Sequence, residues 1–215
     1  MIIVNFKTYK NAVGKAAVEL AKIHEKVAKE LGVEIAVAVN ALDVGKVAEA
    51  VSIPVFAQHI DNADFGSFTG SIIPEVAKEL GCVGSLLNHS EKRLGENLPG
   101  CIAAAKRAGL AIILCAENAE EAEKFAAYSP EYIAVEPPEL IGGDISVTTA
   151  NPAIIEDSVK RIGDCQLLVG AGVKNGKDVA TALKLGAKGV LLASGVTKAE
   201  NPEEVLRDLA SGLSN

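Results

Sequence analysis

The chain has no tryptophan, one methionine, three tyrosines and five phenylalanines among its 215 residues. Platforms that stack nucleic-acid bases need aromatic side chains, so this shortage argues against one. An excess of positive charge is also missing: 21 lysines and arginines face 28 acids, for a formal charge of -7. The basic residues are scattered along the helical faces rather than clustered as phosphate-backbone binding requires. Although 49% of residues are hydrophobic, no apolar run approaches the roughly 20 residues that cross a bilayer. The opening Met1-Ile2-Ile3-Val4-Asn5 lacks the basic-then-apolar order of a signal peptide. Cys82, Cys101, Cys115 and Cys165 form no C-x-x-C pair and stand near no histidine cluster. That excludes familiar metal-ligand spacings and predicts reduced, mostly buried thiols. These absences predict a soluble cytoplasmic protein with no metal, no nucleic-acid partner and no membrane partner, and any anionic ligand must be held by local features.

What the sequence does contain is alternation. Short apolar, β-branched runs cover Ile2 to Phe6, Glu34 to Val39, Pro54 to Gln58, Val83 to Leu87, Leu110 to Cys115, Tyr132 to Glu136, Gln166 to Gly170 and Gly189 to Leu192. Each is followed by helical spacing: Ala16 to Leu31, Val44 to Ala50, Ile72 to Leu80, Leu98 to Ala108, Ala119 to Ala127, Pro152 to Ile162, Lys177 to Leu185 and Pro202 to Leu213. Ser71, Asn118, Asn151 and Asn201 stand where helix N-caps belong, with proline or acids close behind. Gly32, Gly81, Gly109 and Gly186 provide stops. Strands followed by helices imply parallel pairing through right-handed crossovers, and continuous apolar runs imply strands covered on both faces. Eight such units predict one α/β domain over residues 1–215, a closed (β/α)₈ barrel of parallel strands with outer helices. A doubly wound open sheet is the alternative. In either architecture, chemistry belongs where strands end and helices begin.

At those ends the sequence turns polar. Asn5 and Lys7 follow the first strand, Gln58 and His59 the third, and Asn88, His89 and Ser90 the fourth. Glu117 follows the fifth, Glu136 closes the sixth, and glycine-bearing turns at 170–172 and 193–195 follow the seventh and eighth. A cation, an imidazole, a carboxylate and two such turns on one face suit proton transfer on a phosphorylated carbonyl compound. Glu136 is the strongest candidate, because an acid ending an apolar strand needs a partner or a purpose. Pro137 and Pro138 disfavour helix before them and so aim its carboxylate.

The segments Asn5-Phe6-Lys7, Asn88-His89-Ser90-Glu91-Lys92-Arg93, Val135-Glu136-Pro137-Pro138 through Ile141-Gly142-Gly143, and Leu192-Ala193-Ser194-Gly195 resemble, in the same order, those of triosephosphate isomerase. The resemblance runs from Asn5 to about Gly212 and favours the short archaeal branch. It implies a TIM barrel with some outer helices shortened, a triose phosphate substrate, no cofactor, and a homo-oligomer, at least a dimer and by branch a tetramer. Glu136 would then be the general base, Lys7 the cation that neutralises developing charge on substrate oxygen, and His89 a neutral electrophile. Ser90 to Arg93 reads as the first turn of a short helix whose dipole lowers the imidazole pKa, an arrangement that this family is commonly used to illustrate. Asn5, Lys7 and Ile141 would contact substrate, while backbone N–H groups of Gly142, Gly172, Ala193 and Ser194 would hold phosphate. The stretch from Pro137 to Gly143 resembles the family's lid, with an exposed apolar Leu140-Ile141 tip that covers bound substrate; its gating is likewise a common illustration.

Some positions depart from the pattern. Phe6 stands where many relatives carry tryptophan, Gly172 where a serine is frequent, and Glu139 or Leu140 near the lid's usual tryptophan. Asn175 interrupts any G-x-G-x-x-G fingerprint after Gly170, so no nicotinamide cofactor is implied. Asp61 to Ser71, containing Phe68-Thr69-Gly70, resembles a protruding segment that enters a neighbouring subunit. Rival readings are a Schiff-base aldolase, which requires a lysine on an inner strand, and a non-catalytic phosphate-binding barrel. His24 and His59 are assigned no chemistry.

Overall fold

Each apolar run is a parallel strand in the protein, whose computed structural model describes residues 1–140 and 146–213. The strands are β1 (Ile2–Asn5), β2 (Ile35–Val39), β3 (Val55–Ala57), β4 (Gly84–Leu87), β5 (Ala111–Ala116), β6 (Tyr132–Val135), β7 (Gln166–Val169) and β8 (Gly189–Leu192). They pair in chain order and close, with Val4 opposite Leu192 where β8 meets β1. Closure overturns the open-sheet alternative. Around the barrel run α1 (Lys15–Leu31), α2 (Val44–Ala50), α3 (Pro74–Glu79), α4 (Leu98–Arg107), α5 (Ala119–Ala126), α6 (Val147–Ala150), α7 (Pro152–Arg161), α8 (Gly176–Lys184), α9 (Ser194–Thr197) and α10 (Pro202–Ser211). The single-turn helices α6 and α9 escape sequence analysis because four residues are too few to display a helical period.

The cap signals divide. Asn118 and Asn201 accept hydrogen bonds from the N–H groups of Glu121 and Glu204. Asn175 does the same for Asp178, which makes it a cap. Ser71 is not one: α3 starts at Pro74 with Ile73 before it, because proline fits the first helical position and resists the interior. Asn151 precedes α7 without making a side-chain capping bond. The four predicted stops all have positive φ, from +65° at Gly32 to +100° at Gly186. Such backbone is cheap only for glycine.

Two apolar layers follow from the period-two alternation of side chains along a strand. Ile3, Ala36, Ala38, Phe56, Leu86, Ile113, Cys115, Ala134, Leu168 and Leu191 pack inside the barrel. The alternate positions, among them Ile2, Val4, Val37, Leu87, Ile112 and Leu114, pack outward with the helices. The barrel is therefore a filled core, and only its rim can hold polar groups. All four cysteines are free, three of them buried. Among the described residues no helix is long and apolar enough to cross a membrane.

The outer layer also takes in a histidine. His24 of α1 is fully buried, its ring tilted against that of Phe6 with centroids 5.2 Å apart. Nδ1 lies 2.7 Å from the Leu20 carbonyl oxygen and Nε2 has no partner. Burial lowers its pKa to about 4. The folded state thus resists a proton that the unfolded chain accepts below about pH 6.5, so stability declines as pH falls from there towards 4. Replacing His24 by glutamine should remove up to about 3 kcal/mol of that pH dependence. Urea unfolding of both proteins across pH 4 to 7 measures it, and parallel curves would contradict the assignment.

Candidate active site

The alternation that fills the barrel also selects what stands on its rim. Two residues beyond inward-facing Ile3, Ala134 and Leu168 come Asn5, Glu136 and Gly170. The ladder continues far enough to fix them: the Glu136 N–H donates to the Ala116 carbonyl, and Gly170 N–H to that of Val135. Side-by-side strands then make Gly170 necessary. A Cβ built there would lie 2.3 Å from Glu136 Cγ, so any side chain would evict the carboxylate.

Beyond β1 the chain bends sharply. Lys7 has φ +47°, unusual for a residue with a side chain. Two bonds hold it there: its N–H donates to Asn5 Oδ1 at 3.0 Å, and its carbonyl accepts from Gln58 Nε2 at 2.9 Å. Asn5 thus supports Lys7 through the backbone. The Lys7 ammonium meets the Glu91 carboxylate at 2.6 Å.

His89 is buried, and the Glu91 N–H donates to its Nδ1 at 3.1 Å. A backbone N–H can only donate, so in the neutral ring the proton is on Nε2. That nitrogen lies 3.6 Å from Glu136 Oε2, beyond hydrogen-bond length. The imidazole pKa is lowered, first by burial and then by the Lys7 charge, with Glu91 opposing. The expected helix at Ser90 to Arg93 is absent. These residues form a turn closed by Lys92 N–H on the His89 carbonyl, so a helix dipole is not the cause.

Glu136 is buried, and its Oε2 makes no hydrogen bond. Burial raises its pKa to about 7, against the opposing pull of Lys7 and a hydrogen bond with the Cys115 thiol. Cys115, two residues beyond Ile113 on the inner face of β5, is thereby part of the site. Its role was hidden in sequence because a buried cysteine reads as a small apolar side chain.

Asn5, Lys7, His89 and Glu136 border a cavity of about 490 Å³ that Gly172, Ala193 and Ser194 also line. Ala171 and Gly172 both have left-handed backbone, φ +72° and +70°. The N–H groups of Ser194 and Gly195, which open α9 after Ala193, have no acceptor within the helix. The turn is braced from behind by Asp178, whose buried carboxylate accepts from Thr148 Oγ1 and the Lys174 N–H. Its only sequence signal was the spacing Asn175-x-x-Asp178, typical of a helix start. Ile141 and Gly142 lie outside the described residues. Leu140, expected to be exposed, is half-buried against the core at the end of a 3₁₀ turn from Pro138. Glu117 pairs with Arg93 at 3.2 Å, away from the cavity lining. Among the described residues no group of three or more His, Cys, Asp or Glu could hold a metal ion.

The arrangement can hold an anion on backbone N–H groups at one end. At the other end it presents to the same ligand a neutral N–H donor, an ammonium and a carboxylate poised to take a proton.

Comparison with known proteins bears on family and fold. Residues 1–209 match the family model described as triosephosphate isomerase. The triosephosphate isomerase of Methanocaldococcus jannaschii is 49% identical, covering 97% of this chain and 98% of that one. Those of Methanosarcina barkeri and Metallosphaera sedula are 45% and 42% identical, covering 97% and 99% of this chain and 96% and 95% of theirs. A crystal structure of triosephosphate isomerase from Bartonella henselae superposes with a TM-score of 0.74 at 19% identity, over 100% of this chain and 98% of that one. At that identity the likeness is one of fold.

The shared dependence of Glu136 and His89 on Lys7 is measurable. Glu136 should titrate near pH 7 in ¹³C spectra of labelled carboxyls. Lys7→Met should raise the midpoints of both Glu136 and His89, because a neighbouring cation favours carboxylate and disfavours imidazolium. A Glu136 midpoint below about 5 in the wild type would contradict the burial argument.

Proposed function

The chain belongs to the triosephosphate isomerase family and interconverts dihydroxyacetone phosphate and D-glyceraldehyde 3-phosphate in glycolysis and gluconeogenesis, and we propose that Glu136, His89 and Lys7 carry the reaction. The observation that supports this most is the unpartnered Glu136 Oε2 facing His89 Nε2 across 3.6 Å at the edge of the cavity.

Glu136 takes the proton from the carbon next to the substrate carbonyl. The C–H electron pair becomes the C=C bond of an enediolate, and the carbonyl oxygen takes up negative charge. The Lys7 ammonium and the His89 Nε2–H lie on that side of the cavity and stabilise the charge as it develops. Because the imidazole pKa is lowered, the ring stays neutral and passes a proton between the two substrate oxygens. Glu136 then returns its proton to the neighbouring carbon, so atoms balance with no net change in the enzyme. Backbone N–H groups of Gly172, Ala193 and Ser194 hold the phosphate, which fixes the carbon chain against the base. Asn5 acts indirectly by keeping Lys7 in its left-handed turn. A pKa near 7 suits Glu136 to its task, since a base poised at the working pH combines availability with strength.

The aldolase reading has no support in β1 to β8, which contain no lysine to form a Schiff base. Residues 1–215 act as one catalytic domain, placed in the cytoplasm beside its charged substrates. Self-association is proposed too, as a dimer at least and a tetramer by archaeal likeness. Phe65 and Phe68 support it, being 67% and 44% exposed on the long loop before α3, where large apolar groups cost least when covered.

Glu136→Asp withdraws the carboxylate by one methylene and should lower kcat about 10²-fold or more while KM changes little. In the wild type, kcat/KM should rise with pH up to about 7, because only the ionised carboxylate accepts a proton. Steady-state assays in both directions across pH 5 to 9 measure both effects; an Asp variant with undiminished turnover would exclude Glu136 as the base.

A further inference from the structure

Asn88 follows β4, directly precedes His89 and is buried. Its φ of +60° is left-handed, a conformation that asparagine tolerates better than most residues with side chains. Glycine would serve the backbone alone at less cost, so the side chain is there for its own contacts. Both its polar atoms are engaged. Nδ2 donates to the Cys115 carbonyl at 3.2 Å, and Oδ1 accepts from the Leu94 N–H at 3.1 Å. The Asn88 carbonyl accepts from Arg93 Nη1 at 3.3 Å, and Arg93 is itself anchored to Glu117 and Glu121 beyond β5.

These bonds connect two residues that the reaction needs in register. One end of the tie is the backbone next to His89. The other is Cys115, whose thiol hydrogen-bonds Glu136. His89 Nε2 and Glu136 Oε2, 3.6 Å apart at the edge of the cavity, are thus linked from behind through Asn88 and Cys115.

We propose that Asn88 is a positioning residue, whose side-chain amide sets the His89 imidazole relative to the Glu136 carboxylate by tying the end of β4 to the Cys115 carbonyl and the Leu94 amide. The inference rests on the reading that His89 and Glu136 act together on the substrate. Asn88 is not among the residues that line the cavity. It acts by holding the electrophile within the narrow tolerance of proton transfer, where misplacement by about 1 Å costs on the order of 10²-fold in rate.

Asn88→Gly is the informative variant, because glycine keeps the left-handed backbone and deletes only the amide. Its kcat should fall about ten- to a hundredfold with KM for either triose phosphate within about threefold, since a lost alignment affects the transition state more than the ground state. The same change in a His89→Gln background should cost no more than about twofold, because the residue it aligns is already gone. A wild-type kcat for Asn88→Gly, or an equal penalty in both backgrounds, overturns the proposal: the first removes the effect and the second marks a purely structural one. If His89→Gln alone retains wild-type kcat, the underlying reading fails and this inference with it. If His89→Gln is slow while Asn88→Gly is not, the reading stands and the inference alone fails. Should the glycine variant not fold, Asn88→Asp is read in the same cycle. It keeps the Oδ1 acceptor but turns an oxygen towards the Cys115 carbonyl, so it too must lose turnover through His89.

Discussion

A carboxylate buried on top of an apolar, filled barrel is the constraint from which the rest of this site follows. Glu136 continues the inner face of β6 after Tyr132 and Ala134, at the end of a barrel interior packed with Leu168, Leu191 and Ile113 among others. Ionising an acid there costs free energy unless partners compensate. Lys7 and the Cys115 thiol compensate in part, leaving the pKa near 7 instead of in the ordinary carboxylate range. Full compensation would make Glu136 a poor base, and none would leave it protonated at the working pH. The unpartnered Oε2 is the feature that remains for a substrate.

Around that carboxylate the backbone takes on strain. Three of the four described non-glycine residues with positive φ, Lys7, Asn88 and Ala171, lie one or two residues past the ends of β1, β4 and β7. Such conformations persist where neighbouring contacts over-determine them. Here the contacts are identifiable: Asn5 and Gln58 for Lys7, Cys115 and Leu94 for Asn88, and the Val147 N–H on the Ala171 carbonyl. Each strained residue adjoins or is a group that faces the cavity. The rigid barrel supplies the anchoring that a mobile loop could not.

Charge works locally in the same way. A chain of net charge -7 binds a phosphorylated substrate, so attraction must come from the rim. Lys7 is almost enclosed, and its partner Glu91 is largely exposed. The pair keeps the ammonium in place, and the Glu91 charge still reaches the site, where it opposes the fall of the His89 pKa. Glu91 has a second duty that its side chain does not reveal. Its backbone N–H occupies His89 Nδ1 and so dictates which imidazole nitrogen carries the proton.

The sequence by itself determined the eight-fold alternation, the filled core and the identity of the rim residues, because period-two and period-3.6 patterns are local and strand ends can be read from them. Asn5, Lys7, His89 and Glu136 were all legible as polar residues terminating apolar runs, as were the four glycine stops. Only the tertiary structure decided what links neighbouring strands. Cys115 beneath Glu136, Gly170 beside it, Asn88 reaching β5 and Asp178 behind the glycine turn are far apart in the chain and ordinary in composition. The cause of the His89 shift belongs with them: nearby letters suggested a helix dipole, whereas burial and the charge of Lys7, distant in sequence, are responsible. Burial and through-space charge are properties of the closed barrel, and no stretch of residues carries them alone.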